Sequence, residues 1–138
     1  MITLFDTSAL ILAARVPSIG HILADAVAAD ELAITEPILV EYLNSARNQI
    51  EYERFAAGFR AARLLSATGE DWTRALEVHG AFARIGPGHQ RSVRIQDLVI
   101  GAVAERHSVP VLHYDEDFDR IAAITGQSTT WVAPRGSI

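Results

Sequence analysis

Short apolar runs separated by stretches of helical spacing constrain this 138-residue chain more than any other feature. Met1 to Phe5 reads as a strand ending at Asp6, and Thr7 or Ser8 is placed to cap a helix that runs through Ala14. Pro17 to Ala29 sets Ile19, Ile22, Leu23, Ala26 and Val27 at helical intervals, with Pro17 in the first turn. Leu32 to Thr35 is a second strand, and Pro37 opens a helix in which Ile38, Val40, Leu43 and Ala46 are apolar. Two amphipathic helices follow, Glu51 to Leu65 and Trp72 to Ile85, the second with Trp72, Leu76, Val78, Phe82 and Ile85 as its apolar residues. After the Gly86-Pro87-Gly88 break, Ile95 to Arg106 is apolar enough to be a buried helix. Val109 to His113, Phe118 to Ile124 and Thr129 to Val132 then read as strand, helix and strand. Strands alternating with helices predict a parallel sheet covered on both faces, a three-layer α/β domain. The domain is expected to span residues 1–133, with 134–138 as a tail and the two central helices forming a helical arm.

Composition removes several alternatives. The chain is 49% hydrophobic and 21% charged, which excludes a disordered or fibrous protein. Cysteine is absent, so there is no disulfide framework, thiolate zinc site or catalytic thiol. All 12 basic residues are arginine, which excludes a Walker-type phosphate loop, a Schiff-base enzyme and a phospho-receiver domain, each of which needs a lysine. The longest apolar runs, Leu98 to Ala104 and Ala9 to Ala14, fall short of the roughly 18 residues a membrane span requires. With no basic leader before the first apolar stretch, a cytoplasmic location is expected.

The net charge of −5 is unevenly spread. Residues 1–41 carry −5, residues 42–96 carry +3 and residues 97–138 carry −3. Acidic ends thus flank a basic middle holding Arg47, Arg54, Arg60, Arg63, Arg74, Arg84, Arg91 and Arg94. Such a distribution fits either solvated helix faces or a phosphate-binding rim around an acidic centre.

In a parallel sheet, functional groups collect at the carboxyl ends of the strands. Asp6 ends the first strand, Glu41 lies on the helix after the second, Asp97 opens the buried helix, and Asp115 follows the Val109 to His113 strand with Asp117 two residues on. Segments far apart in sequence therefore deliver carboxylates to one edge. Two like charges about 4 Å apart at an effective dielectric near 20 repel by about 4 kcal/mol, so such a crevice takes up protons or holds a cation. All-oxygen ligation suits Mg²⁺ or Mn²⁺ and metal-assisted phosphodiester hydrolysis. An EF-hand counted from Asp115 fails, because Arg120 stands at its glycine position and Gly126 at its final glutamate position.

The pieces that carry these acids resemble the PIN-domain ribonucleases, specifically the VapC-type toxins of bacterial toxin–antitoxin pairs. They are Leu4-Phe5-Asp6-Thr7-Ser8-Ala9-Leu10, Ile34-Thr35-Glu36-Pro37 with Glu41, Asp97-Leu98-Val99-Ile100-Gly101-Ala102, and Val111 through Asp119. Gln96 departs from the pattern, since relatives often carry proline before the third acid. The resemblance implies a PIN-like α/β/α fold, metal ligands at Asp6, Glu41, Asp97 and Asp115, and Asp117 as a fifth acidic contributor. It also implies Mg²⁺- or Mn²⁺-dependent endoribonuclease activity, a homodimer, and a cognate VapB-type antitoxin.

Around that centre, Ser8 or Thr7 is expected to orient a water or a carboxylate, and Arg91 and Arg94 to hold a flanking RNA phosphate. His113 reads as a packed strand histidine rather than a general base. Two other functions are compatible with the same residues: a PIN-type RNA-processing nuclease without an antitoxin, and a non-catalytic metal-binding interaction module.

Overall fold

A computed structural model describes Met1–Ile138. Its strands are β1 (Thr3–Phe5), β2 (Leu32–Ile34), β3 (Arg63–Leu64), β4 (Val111–His113) and β5 (Thr129–Trp131), arranged β3-β2-β1-β4-β5. Every neighbouring pair is parallel, with Leu4 opposite Ala33 on one side and Val111 on the other. Adjacent strand residues point to opposite faces. Leu4 and Phe5 are both buried, as are Ala33 and Ile34, so both faces of the central strands are covered. The helices that do this are α1 (Thr7–Arg15), α2 (Pro17–Ala28), α3 (Glu36–Leu43), α4 (Gln49–Gly58), α5 (Gly69–Ile85), α6 (Ile95–His107) and α7 (Asp117–Thr125). The result is the three-layer α/β/α arrangement expected from the sequence. The most deeply buried helix, α6, buries every residue from Asp97 to Ala104. No single helix is long and apolar enough to cross a membrane.

Four details differ from the sequence reading, each for a local reason. The helix expected over Glu51 to Leu65 stops at Gly58. A 3-10 turn at Phe59–Ala61 follows, and Arg63–Leu64 joins the sheet beside Ala33–Ile34 as a fifth strand. Phe59 is held edge-on against Tyr42 with ring centroids 5.2 Å apart, while the Arg63 guanidinium donates to Asp30 Oδ2 at 2.8 Å and to the Asp30 carbonyl at 2.9 Å. These anchors turn the chain into the sheet edge.

Helix α5 begins earlier than expected, because Thr68 and Asp71 form a reciprocal capping box. Its buried stripe is Asp71, Ala75, Val78 and Phe82, whereas Trp72, Leu76 and Ile85 are 52%, 69% and 60% exposed. Asp71 is itself gripped by the Arg106 guanidinium through two bonds of 2.9 Å, tying α5 to α6. Burial raises the Asp71 carboxyl, but the Arg106 fork and the Thr68 N–H overcome this and hold it below the usual range.

In α3 the apolar series is likewise interrupted: Val40 is 67% exposed and Ala46 lies beyond the last helical residue, Leu43. Finally, Asp6 caps α1 in place of Thr7 or Ser8. The helix starts one residue earlier than a Thr7 cap would allow, so the Asp6 carbonyl already accepts from Ala9 and Leu10.

Residues 134–138 fold back on the loop after β4. Arg135 pairs with Glu116 and lies over the Trp131 ring, and the Ile138 N–H donates to the Tyr114 hydroxyl at 3.0 Å.

Candidate active site

Strand order reverses between β1 and β4, and the crevice at their carboxyl ends is where such sheets form sites. Asp6 leaves β1 in extended conformation at the N-cap of α1. Its Oδ2 accepts the Ser8 hydroxyl at 2.5 Å and the Ser8 N–H at 3.0 Å, while its Oδ1 is buried without a partner. Asp97 is fully buried in the first turn of α6. Helices in this fold run antiparallel to the strands they cover, which brings the start of α6 back to the carboxyl edge.

The loop after β4 is held by a relay of short bonds. The Asp115 N–H donates to His113 Nδ1 at 3.2 Å, the Asp117 N–H to Asp115 Oδ1 at 3.0 Å, and the Arg94 N–H to Asp117 Oδ2 at 3.1 Å. Carboxylate oxygens of Asp97, Asp115 and Asp117 consequently lie within 4.8 Å of one another. Glu41 approaches from α3 and is joined to Asp97 through Arg94, whose Nη2 donates to Glu41 Oε1 at 3.1 Å and to Asp97 Oδ1 at 3.2 Å. All five acids named from the sequence therefore converge on this edge, with Asp97, Asp115 and Asp117 as the tightest group.

Crowding and burial show in the electrostatics. Burial raises the Asp6 carboxyl; the two bonds from Ser8 oppose the rise, and the charge of Glu41 adds to it. Asp97 is pushed up to about 8, first by burial, then by the neighbouring Asp117 carboxyl, with Arg94 opposing and Asp6 adding. His113 is buried and pulled below its ordinary value by that burial, so it stays neutral. Its ring packs against Phe118 and Trp131 at 5.1 and 5.0 Å, and because Nδ1 accepts from Asp115 the proton sits on Nε2.

The other residues singled out from the sequence divide. Ser8 does orient a carboxylate, whereas the buried Thr7 hydroxyl has no partner. Arg91 is exposed on the 3-10 turn His89–Arg91. Arg94 caps the start of α6 and turns its guanidinium inward onto Glu41 and Asp97 rather than outward. Two contacts at the site have no counterpart in the sequence pattern read above. Ser8 Oγ accepts the Tyr114 N–H at 2.9 Å, tying the end of β1 to the end of β4. Arg120 donates to Asp117 Oδ1 at 3.2 Å and Glu116 Oε1 at 2.8 Å, a pairing that their i,i+3 and i,i+4 spacing signals.

The donor set fits a hard divalent cation. It consists of oxygen alone, it includes a buried Asp6 oxygen without a hydrogen-bond partner, and Asp97 holds its charge poorly without compensation.

The PIN domain model aligns with residues 3–124, and the chain belongs to the PIN-domain family. It is similar along its whole length to Ribonuclease VapC18 of Mycobacterium tuberculosis, with 40% identity over 138 residues and complete coverage of both chains. Among solved structures, VapBC-1 from nontypeable Haemophilus influenzae superposes with a TM-score of 0.75 at 16% identity, covering 96% of this chain and 98% of that one. VapBC-5 from Mycobacterium tuberculosis, a member of the VapBC family of toxin–antitoxin systems, gives a TM-score of 0.62 at 23% identity, with 94% and 96% covered. At these identities the two structures establish the shared fold.

Proposed function

We propose that the protein is a Mg²⁺- or Mn²⁺-dependent endoribonuclease, the toxin of a toxin–antitoxin pair. The observation that carries this reading is the grouping of Asp97, Asp115 and Asp117 carboxylate oxygens within 4.8 Å of one another, with Glu41 tied to Asp97 through Arg94 and the charge of the wholly buried Asp6 acting on Asp97. Full-length similarity to a VapC ribonuclease supports the choice of RNA as substrate.

Asp97, Asp115 and Asp117 would hold the ion directly, with Asp6 and Glu41 completing the set. When bound, the metal supplies a nucleophilic water at neutral pH and neutralises the phosphate oxygens. The chain's own groups do the remainder. Ser8 fixes one oxygen of Asp6 and leaves the other facing the crevice. His113 holds the Asp115 backbone in place without exchanging protons with substrate, since it is buried and neutral. Asp97 would hold the cation in its ionised form, so metal binding would be coupled to loss of the proton its burial favours. Arg91, exposed on the turn three residues ahead of Arg94, would receive a phosphate flanking the scissile bond.

Two surfaces support the partner readings. An apolar groove of about 580 Å³ between α1, α2 and α4 is lined by Leu10, Leu23, Val27, Tyr42 and Phe55, with Arg54 at its side, and suits an apolar segment of an antitoxin. On α3, α5 and the start of α6, exposed Val40, Trp72, Leu76 and Ile95 form the face suited to a second copy.

RNA cleavage by purified protein with Mg²⁺, Mn²⁺ or EDTA tests the enzymatic reading. Cleavage should need the metal and disappear in Asp97→Asn. Metal-independent cleavage, or full activity in that variant, would reject it.

A further inference from the structure

The inward turn of Arg94 has no place in a simple phosphate-holding role. Its Nη2 reaches both oxygens of Glu41, at 3.1 and 3.3 Å, and Asp97 Oδ1 at 3.2 Å, while Nε reaches Asp97 Oδ2 at 3.4 Å. One guanidinium thus spans α3 and α6 and engages every oxygen of two carboxylates in the proposed metal set. Arg120 is different: it meets Asp117 at one oxygen and spends its other donors on Glu116 and the Ser92 carbonyl.

We infer that Arg94 is a resident counter-cation that a divalent ion must displace, and that only the displaced guanidinium is free to face the RNA backbone. The inference rests on the metal-dependent reading above and assigns Arg94 a second position within it. The oxygens of Glu41 and Asp97 that would face a metal are those the guanidinium already occupies. A metal ion at inner-sphere distance, about 2.0–2.1 Å for Mg²⁺, and a guanidinium on the same oxygens would be like charges a few ångströms apart. The two therefore compete.

The geometry also provides the hinge. The Arg94 backbone is fixed as the N-cap of α6 and by its N–H bond to Asp117 Oδ2, so exchange involves the side chain alone. That side chain is 48% exposed, which gives it a direct path outward by rotamer change. Since the outward guanidinium is next to the crevice, an RNA phosphate would favour the same state that metal favours. By linkage, metal and RNA then strengthen each other's binding through this one residue.

Calorimetric titration of Mg²⁺ into the wild type, Arg94→Gln and Arg120→Gln tests the competition. NMR of the arginine Nε–H groups, with Arg94 assigned by its loss in Arg94→Gln, reads the displacement without any turnover. Arg94→Gln should bind Mg²⁺ roughly two- to fivefold more tightly than wild type, as expected for removal of a partly exposed ion pair. Arg120→Gln should gain clearly less, and the wild-type Arg94 signal should move with the same midpoint as metal binding. Equal affinities in wild type and Arg94→Gln, an equal gain in Arg120→Gln, or an Arg94 signal unmoved at saturating Mg²⁺ would overturn the inference while leaving the metal reading intact. Absence of Mg²⁺ binding in all three proteins would overturn both.

Discussion

The Ser8 hydroxyl donates to Asp6 Oδ2 at 2.5 Å while accepting the Tyr114 N–H at 2.9 Å, so one small side chain links the carboxylate at the end of β1 to the backbone leaving β4. These are the two strands on either side of the switch point. The same bond favours the ionised form of a buried Asp6. Ser8→Ala should therefore do two things. It should lower stability by about 1–2 kcal/mol, because a buried N–H and a carboxylate lose a partner, which thermal melting registers as a fall of several degrees. It should also weaken metal binding and move its pH dependence upward, because Asp6 then ionises less readily. Threonine at the same position, keeping the hydroxyl, should restore the pH profile.

Asp97 dictates how the metal-free protein responds to pH. Its carboxyl is raised to about 8 in the folded state, from 3.8 in the absence of the fold. Between those values the native state binds a proton that the unfolded chain does not, so stability falls as pH rises from about 4 to about 8 and levels off above. Asp71 and His113, both held below their usual ranges, act in the opposite direction. The Asp71 contribution is present above about pH 4 and is lost as pH falls further, and the cost of keeping the buried His113 neutral disappears as pH rises toward 6.5. Asp97 has the larger effect only because its shift is the larger. Urea denaturation in EDTA should thus show a stability maximum on the acid side of neutrality. Asp97→Asn should flatten the decline toward pH 8, and saturating Mg²⁺ should remove it in the wild type by binding only the folded state. A wild-type curve that rises from pH 5 to 8 in EDTA would contradict the account.

The parts of this site that could be read from the sequence are those fixed by periodicity. Asp6 and Asp115 follow apolar strands, Asp97 opens an apolar helix, and the parallel topology then brings all three to one edge. The fifth strand was hidden because Arg63 and Leu64 are exposed and only two residues long, too short for any alternation to register. The face of α5 was misphased because Asp71, a charged residue, belongs to its buried stripe, and only its Arg106 partner, distant in sequence, makes that burial tolerable. The inward set of Arg94 was equally out of reach. It depends on Glu41, 53 residues away, and a rotamer chosen by a tertiary neighbour leaves no local pattern.

The outer face of α5 bears on assembly. Trp72 and Leu76 are one turn apart on the outer side of α5, 52% and 69% exposed, near Val40 and Ile95 from α3 and α6. An exposed apolar face of this kind is expected to be covered by another surface. Light scattering of the purified protein should give the mass of a dimer, and Leu76→Glu should give that of a monomer with an unchanged melting profile in dilute solution, since the side chain packs little within its own chain. A wild type that is monomeric at high micromolar concentration would remove this face from consideration as a dimer seam.

Arg91 offers the cleanest test of RNA contact, because it is exposed on a 3-10 turn just ahead of α6. A guanidinium that neutralises one phosphate of a single strand releases condensed counterions, contributing about 0.7 to the slope of log K against log salt. Arg91→Ala should therefore weaken binding of a short single-stranded RNA across all sequences tested and flatten that slope by about this amount. Measured in EDTA, where the proposed metal-dependent cleavage should be off and Arg94 should stay engaged with Glu41 and Asp97, the loss should belong to Arg91 alone. Repeating the titration with Ca²⁺ in place of EDTA should steepen the wild-type slope if the displaced Arg94 then adds its own phosphate contact. An Arg91→Ala slope indistinguishable from wild type in both conditions would place the RNA backbone elsewhere on the surface.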